Sequence, residues 1–344
     1  MGTRSGLDLA VAVIVFVLIA APTGGQEPVA VGTGSRVVLR SREAALKVGK
    51  EVVASSDVFR VYHVEHVRGG WVWVADDGIR GWVREADVVP LDQALAYFTS
   101  AIKERPGDPW PYQMRGLVYA YLRDFEHAIA DDTEAIKLDP RDPVSYHNRG
   151  NARLAREDYD GAIADYNRAT ALDPKDAASY VHRALAWAAK HDYDLAIADD
   201  NQAIRLDSRD VATYHQRALA WAAKQDYEQA LADYAEALKI NPDDALAYNG
   251  RAWIWATAAD PNVRDGHKAV QSAARANELS GGSNPYILGT LAAASAEQGD
   301  FDAAVRWQTK ALERFAAEHL DQGAHRRRLE LYKSGKPFRD ERQN

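Results

Sequence analysis

Several side chains capable of chemistry recur at regular positions in this sequence, which is not the arrangement of a catalytic site. His147, His182 and His215 follow one another at intervals close to 34 residues. Imidazoles at such positions could bind a metal or titrate near neutral pH, but histidines on a polar surface mostly serve as hydrogen-bonding groups, and we favour that role. The adjacent carboxylates Asp131-Asp132 likewise return as Asp199-Asp200. A general acid and base form a single pair, so the recurrence indicates architecture rather than catalysis.

Compact motifs of catalytic or phosphate-binding chemistry are absent from the sequence. There is no glycine-rich loop followed by lysine, no His-Glu-x-x-His and no Gly-x-Ser-x-Gly. The lack of cysteine excludes disulfides, thiol catalysis and thiolate metal sites. A formal net charge of -8 argues against a nucleic-acid partner, because a phosphate backbone is held by clustered lysine and arginine. We therefore predict a protein that is not an enzyme and needs neither a cofactor nor a metal.

A repeat of 34 residues determines where most of these side chains lie. It is marked by one alanine in each unit: Ala94, Ala128, Ala162, Ala196 and Ala230. With this alanine numbered position 20, position 4 is a tyrosine in five units: Tyr112, Tyr146, Tyr180, Tyr214 and Tyr248. Positions 8 and 27 hold small residues. Small residues let two antiparallel helices approach closely, while the aromatic rings fill the gaps toward the next unit.

This pattern resembles the tetratricopeptide repeat family at nearly all of its signature positions, with tyrosine in place of the family's first tryptophan. The resemblance implies an all-α solenoid of antiparallel helix pairs, in which stacked neighbours complete the core that one pair cannot bury. We expect the solenoid over residues 91–318, followed by a capping helix and polar tail over 319–344. Its expected parts are a half-repeat cap at 91–108 and repeats at 109–142, 143–176, 177–210, 211–244, 245–284 and 285–318. The fifth repeat needs about five extra residues near Asp260, which predicts a lengthened loop.

The first residues of the chain have the pattern of an export signal. Arg4 precedes an uncharged run over residues 9–21, which Pro22 and small residues then interrupt. We predict a signal peptide over residues 1–26, and hence a protein of the periplasm, the cell envelope or the exterior. The alternative is an uncleaved membrane anchor, but the run is shorter than the roughly 20 apolar residues that a spanning helix needs. No membrane insertion is expected once the signal has been removed.

Between the signal and the repeats, residues 27–90 have the pattern of a small all-β domain. Short β-branched runs alternate with turn residues, and the run WVWVADDGIRGWVREADVV resembles bacterial Src-homology-3-like domains. The resemblance implies a small barrel that binds peptides or cell-wall polymers. Its candidate groove aromatics are Tyr62, Trp71, Trp73 and Trp82. The alternative is that these rings pack in the barrel core, although strand alternation would put Trp71 and Trp73 opposite the valines between and after them.

The tetratricopeptide resemblance also implies a partner-binding surface, on the concave side that the first helix of each repeat lines. The candidate residues there are Gln113, Met114, Tyr121, His147, Asn148, Asn151, His182, His215, Gln216, Asn249 and Trp253. No lysine or arginine occupies positions 5, 6 and 9 of five units, so a clamp for a terminal carboxylate is not expected. Neutral polar and apolar groups suit an extended segment or an amphipathic helix, with Met114, Tyr121 and Trp253 as anchors.

Two further columns of the repeat carry opposite charges. Position 7 of the first helix is arginine in four consecutive units: Arg115, Arg149, Arg183 and Arg217. Position 23 of the second helix is aspartate in the same units: Asp131, Asp165, Asp199 and Asp233. In the sixth unit both positions are apolar, as Leu291 and Trp307, whereas Arg251 of the fifth unit has Ser272 as its counterpart. We predict partly buried ion pairs that join the two helices of a unit. Free arginines would instead form a strip for an acidic partner.

Two functions remain compatible with these patterns. The favoured one is an exported scaffold, without enzymatic activity, whose solenoid binds a protein or peptide partner. The alternative is a protein associated with the cell wall, in which the β-domain binds peptidoglycan or its peptide stems.

Overall fold

The computed structural model describes residues 31–41, 44–48, 51–55, 60–76 and 79–340. The expected signal peptide therefore lies outside the described residues. Within them, no helix is both long enough and apolar enough to span a bilayer. The chain divides into two compact units, with the boundary between Asp173 and Pro174.

The first unit begins with a seven-stranded antiparallel sheet. Its strands are β1 (Arg36–Leu39), β2 (Ala45–Val48), β3 (Glu51–Ser55), β4 (Tyr62–Arg68), β5 (Trp71–Asp76), β6 (Ile79–Arg84) and β7 (Val88–Pro90). Their spatial order is β3-β2-β6-β5-β4-β1-β7. Alternation along β5 buries Val72 and Val74 and leaves Trp71 and Trp73 half-buried on the other face. The valines pack with Tyr62, Val64 and Val83 in the core of the sheet.

A second hydrophobic cluster joins the sheet to the helices that follow it. Strand β7 leads directly into α1 (Leu91–Glu104). Val38 and Val89 of the sheet pack with Phe98 of α1 and with Trp110 and Met114 of the next helix. The rings of Phe98 and Trp110 meet edge to face, with 5.7 Å between their centroids. The sheet thus covers the apolar side of the first helices, and the two parts of this unit share one core.

Two helix pairs complete the first unit. They are α2 (Pro109–Tyr121) with α3 (Phe125–Leu138), and α4 (Pro143–Ala155) with α5 (Tyr159–Leu172). The first helix of each pair begins with a proline preceded by an aspartate, and the carboxylate accepts hydrogen bonds from the first-turn amides. Small residues set the spacing within a pair: a Cβ on Gly150 would lie 2.7 Å from the ring of Tyr166. That glycine therefore makes room for the tyrosine.

The second unit contains nine further helices among the described residues. They are α6 (Ala177–Ala189), α7 (Tyr193–Leu206), α8 (Val211–Ala223), α9 (Tyr227–Ile240), α10 (Ala245–Thr257), α11 (Gly266–Leu279), α12 (Pro285–Glu297), α13 (Phe301–Ala317) and α14 (Gly323–Lys333). The short loop between α8 and α9 consists of residues 224–226, whereas the longer loop between α10 and α11 consists of residues 258–265. Arg264 holds this longer loop by donating to the carbonyls of Ala258 and Ala259, at 2.8 and 3.0 Å.

The turn within most helix pairs relies on a left-handed backbone residue. In the first unit Arg123 and Glu157 have φ values of 62° and 63°. In the second unit His191 and Gln225 adopt 65° and 62°, and Gly299 adopts 91°. A residue in this conformation ends a helix and lets the carbonyls of its last turn accept hydrogen bonds. Of these five described turns, the one before α13 uses glycine, for which the conformation carries no steric cost.

Candidate partner-binding surface

The arginines at position 7 lie in contact with the aspartates at position 23. In the first unit Arg115 Nη2 is 2.7 Å from Asp131 Oδ1, and Arg149 Nη2 is 2.7 Å from Asp165 Oδ1. In each pair Nε also donates to the second carboxylate oxygen, at 2.8 and 2.9 Å. This two-point geometry is the strongest form of an arginine–carboxylate contact. The hydrogen bonds to Asp131 raise the pKa of Arg115.

The second unit repeats the arrangement. Arg183 Nη2 is 2.6 Å from Asp199 Oδ1, and Arg217 Nη2 is 2.5 Å from Asp233 Oδ1. The remaining guanidinium nitrogen of Arg217 donates to Asn201 on the preceding helix pair, as that of Arg149 does to Thr133 in the first unit. Each of these arginines therefore contacts an aspartate across its helix pair, and they do not form an open cationic strip. Arg251 has no such aspartate, and its Nε and Nη2 lie 3.4 and 3.5 Å from Ser272 Oγ.

Two residues expected to contact a partner in the first unit are in fact buried. Met114 is 2% exposed because the sheet packs over it. Gln113 is also buried, and its Nε2 donates to Asp142 Oδ2 at 2.5 Å and to Ser145 Oγ at 2.7 Å. Both predictions were wrong, because these side chains hold α2 to the sheet and to α4. Tyr121 remains exposed, with the guanidinium of Arg36 5.3 Å from its ring centroid.

A half-exposed polar patch on α4 contains the other candidates of the first unit. Its residues are His147, Asn148 and Asn151. Asn151 accepts a hydrogen bond of 2.7 Å from the hydroxyl of Tyr166, and the ring of His147 lies 5.9 Å from that tyrosine. Nδ2 of Asn148 has no hydrogen-bond partner among the described residues. This nitrogen is itself buried, and a buried donor without a hydrogen-bond partner costs free energy.

A buried carboxylate lies on the neighbouring helix α3. Neither oxygen of Asp132 has a hydrogen-bond partner within the described part of the chain. Burial holds the pKa of Asp132 well above its usual range, and the charge of Asp131 raises it further. Burial therefore favours the uncharged acid form of Asp132, which attracts cations only weakly. The sequence repeat showed that this carboxylate recurs, but it did not indicate that the carboxylate is buried.

The polar candidates of the second unit mostly bind other parts of that unit. Gln216 Nε2 donates to the carbonyl of Val181 at 3.0 Å and to Asp200 Oδ1 at 2.8 Å. His215 Nε2 lies 2.8 Å from Asp244 Oδ2. His182 Nδ1 lies 2.9 Å from the carbonyl oxygen of Ala178, and burial lowers the pKa of this histidine. Asn249 Oδ1 is buried, without a hydrogen-bond partner in the described ranges. No cluster of three His, Asp or Glu residues that could hold a metal occurs among the described residues.

Trp253 is not an open anchor, because another segment of the chain covers it. Phe338 lies 5.8 Å from Trp253 between ring centroids, and Asp340 Oδ2 accepts a hydrogen bond from the indole nitrogen at 3.3 Å. The guanidinium of Arg328 lies 5.0 Å from the centroid of the indole. The sequence contained no sign of this contact, because residues 338–340 are outside the repeat pattern.

The aromatic candidates of the sheet separate into two groups. Tyr62 is 0% exposed and belongs to the core, so its expected place in a groove was wrong. Burial raises its pKa to about 12. Trp71, Trp73 and Trp82 are half-buried. The rings of Trp73 and Trp82 meet edge to face at 5.4 Å, and the indole nitrogen of Trp73 donates to Glu65 Oε2 at 3.0 Å.

Three family models match the chain. The TPR repeat model matches residues 150–191, and two tetratricopeptide repeat models match residues 111–142 and 211–244. The matched segments are tetratricopeptide repeats. The fold class expected from the sequence is confirmed, namely a tetratricopeptide repeat solenoid preceded by a β-domain. The curled seven-stranded sheet is consistent with a Src-homology-3-like domain.

Solved structures of other proteins, two of them described as tetratricopeptide repeat proteins, have a similar fold. One from Parabacteroides merdae is 16% identical, with a TM-score of 0.50 over 71% of this chain and 92% of that one. The C-terminal part of a repeat-containing protein from Cytophaga hutchinsonii is 18% identical, with a TM-score of 0.53 over 65% and 90%. The APC/C hetero-tetramer Cut9–Hcn1 is 12% identical, with a TM-score of 0.55 over 70% of this chain and 46% of that one. No curated protein matches the sequence. The tetratricopeptide repeat fold supports a role as a protein–protein interaction scaffold.

Proposed function

We propose that this tetratricopeptide repeat protein is an exported scaffold without enzymatic activity, and that it binds a peptide or helix of a partner on the first helices of its repeats. The observation that carries the proposal is the patch on α4. Asn148 there has a buried amide donor without a partner in the described residues, next to the partly exposed side chains of His147 and Asn151. Repeated arginines elsewhere are occupied by aspartates. The patch therefore offers neutral hydrogen-bonding groups, which suit the backbone of an extended segment.

Photocrosslinking in the native cell tests this proposal. A photoreactive amino acid at position 151 should give a covalent adduct with a discrete protein partner. The matched control is the same substitution at Asn262, which is exposed in the loop between α10 and α11. Substitution of Asn148 and Asn151 by alanine should then weaken partner capture while the helix content stays that of the wild type. Adducts that are equally abundant from positions 151 and 262 would contradict the proposal.

Export is part of the same proposal, and it is supported by the uncharged run over residues 9–21. The protein purified from its native cell should begin between Pro22 and Glu27 and be found outside the cytoplasm. N-terminal sequencing after cell fractionation measures both. A chain with an intact Met1 in the membrane fraction would show an uncleaved anchor instead.

Binding of a cell-wall polymer by the β-domain is the second candidate function. It is favoured by the half-buried indoles of Trp73 and Trp82 on the face of the sheet opposite its valine core. Because the sheet shares a core with α1 and α2, the test requires the whole chain. The chain should pellet with purified cell wall, and alanine at Trp73 and Trp82 should abolish pelleting. If wild type and variant remain equally soluble, the sheet serves only to cover the first helices.

A further inference from the structure

The segment that follows α14 turns back over the face of its own unit that carries Trp253. We call residues 334–340 the α14 extension. It has no regular secondary structure, and its second residue, Gly335, has a φ of +70°, a conformation typical of a helix end. From there it passes beside α10 and α12. Trp253, at position 9 of a first helix, is among the residues expected from the sequence to bind a partner. The extension therefore occupies part of the candidate binding surface.

An aromatic contact fixes the middle of the extension. Phe338 packs against the cluster that contains Ala292, Ala296 and Tyr332. The guanidinium of Arg328 lies beside two rings that also contact each other, 5.0 Å from the centroid of Trp253 and 5.1 Å from that of Phe338. A cation close to two aromatic rings is attracted by both, most strongly where water is excluded. Burial also lowers the pKa of Arg328, which indicates that this cation is partly desolvated.

Polar contacts fix the end of the extension. The amide of Asp340 donates to the carbonyl of Thr257 at 2.9 Å. Thr257 is the last residue of α10, and the carbonyls of a final helical turn lack partners within their helix. Asp340 Oδ2 accepts from the indole nitrogen of Trp253. Arg339 Nη1 lies 2.6 Å from Glu297 Oε2. The surface thus provides an acceptor for a backbone amide, a donor for a carboxylate and a carboxylate for a cation.

We propose that this surface of the second unit is a binding site for an extended peptide of a partner protein. The sequence of that peptide has an acidic residue two positions after an aromatic residue. The α14 extension occupies the site in cis through Phe338 and Asp340, and a partner segment of the same chemistry displaces it. The proposal rests on the scaffold function above and adds the chemical class of the ligand and a competitor within the chain.

The contacts of the extension are few enough to permit exchange. Phe338, Arg339 and Asp340 are each only half-buried. Segments with little buried apolar surface and few backbone hydrogen bonds open at low free-energy cost. A tethered segment nevertheless competes at an effective concentration in the millimolar range. Loss of its anchors should therefore strengthen the apparent affinity for an external peptide by about tenfold or more.

Fluorescence anisotropy with a labelled peptide of sequence Gly-Lys-Pro-Phe-Arg-Asp provides the test. In the full chain, the double variant Phe338→Ala/Asp340→Asn should bind the peptide at least about tenfold more tightly than the wild type. The matched control is Lys336→Ala, whose side chain is exposed within the same extension; it should bind as the wild type does. Adding Trp253→Ala to the double variant should remove binding. A labelled peptide with alanine in place of phenylalanine should not bind.

The proposal is overturned if the double variant keeps the wild-type helix content and binds the peptide no more tightly than the wild type. In that case the extension is a permanent cap of the helices. Hydrogen exchange on the wild-type chain decides the matter independently of the variant's folding. Excess peptide should accelerate exchange of the Asp340 amide, and an unchanged rate with saturating peptide would likewise refute displacement. Neither result depends on crosslinking at Asn151, which lies in the other unit, so failure of the general scaffold proposal remains distinguishable.

Discussion

The ion pair between Arg217 and Asp233 should make a large and strongly coupled contribution to stability. The two side chains are 17% and 6% exposed, and two hydrogen bonds of 2.5 and 2.9 Å join them. Removing one member of a buried pair leaves an uncompensated charge and costs about 3 to 5 kcal/mol. We expect a loss in this range for Arg217→Leu. The double variant Arg217→Leu/Asp233→Leu should recover much of it, because no unpaired charge remains.

The coupling free energy follows from a double-mutant cycle. Urea unfolding of the wild type, both single variants and the double variant should give a coupling of about 2 kcal/mol or more. The matched control is the ion pair of Lys239 and Glu236. Its charged atoms are 2.6 Å apart, but the two side chains are 69% and 47% exposed. An exposed pair of this kind is worth about 0 to 1 kcal/mol. If the Arg217 and Asp233 losses are additive and amount to a few tenths of a kcal/mol each, the reasoning is refuted.

Three further predictions concern backbone conformation, packing and pH. Gly299→Ala should lower the free energy of unfolding by about 1 kcal/mol in urea titrations, because φ is +91° and no atom crowds the added methyl. Gly150→Ala should cost more in the same assay and lower the melting temperature, since its Cβ would lie 2.7 Å from the ring of Tyr166. Burial raises the pKa of Asp200 to about 8. Between about pH 4, where an unfolded aspartate ionises, and pH 8, the Asp200 carboxyl group therefore takes up a proton on folding. Its contribution to the free energy of unfolding falls as the pH rises through this range. Asp200→Asn should accordingly melt higher than the wild type at pH 9, with the difference shrinking toward pH 5, whereas exposed Asp302→Asn should show no such trend.

The sequence predicted the candidate surface correctly only where no segment from outside the repeats packs against it. The pattern placed His147, Asn148 and Asn151 on one first helix, and these three are half-exposed on α4. It also placed Met114 and Trp253 on such a surface, but the sheet covers the first and the α14 extension covers the second. Both covering segments occur once in the chain. A repeat pattern describes the contacts that every unit makes, and it contains no information about a segment that meets one unit only.

The sequence by itself determined the helix pairs and indicated which charges would meet within them. Arg217 and Asp233 are 16 residues apart, and the same separation recurs from unit to unit. Because each unit repeats the same helix pair, the recurring arginine and aspartate positions indicate that the two side chains are in contact. Only the tertiary structure decided that Tyr62 is core rather than groove, that α1 and α2 share a core with the sheet, and that the α14 extension covers Trp253. The physical reason is that these contacts join distant, non-repeating segments. Their burial depends on which distant segments pack together, and the periodicity of the sequence does not predict that packing.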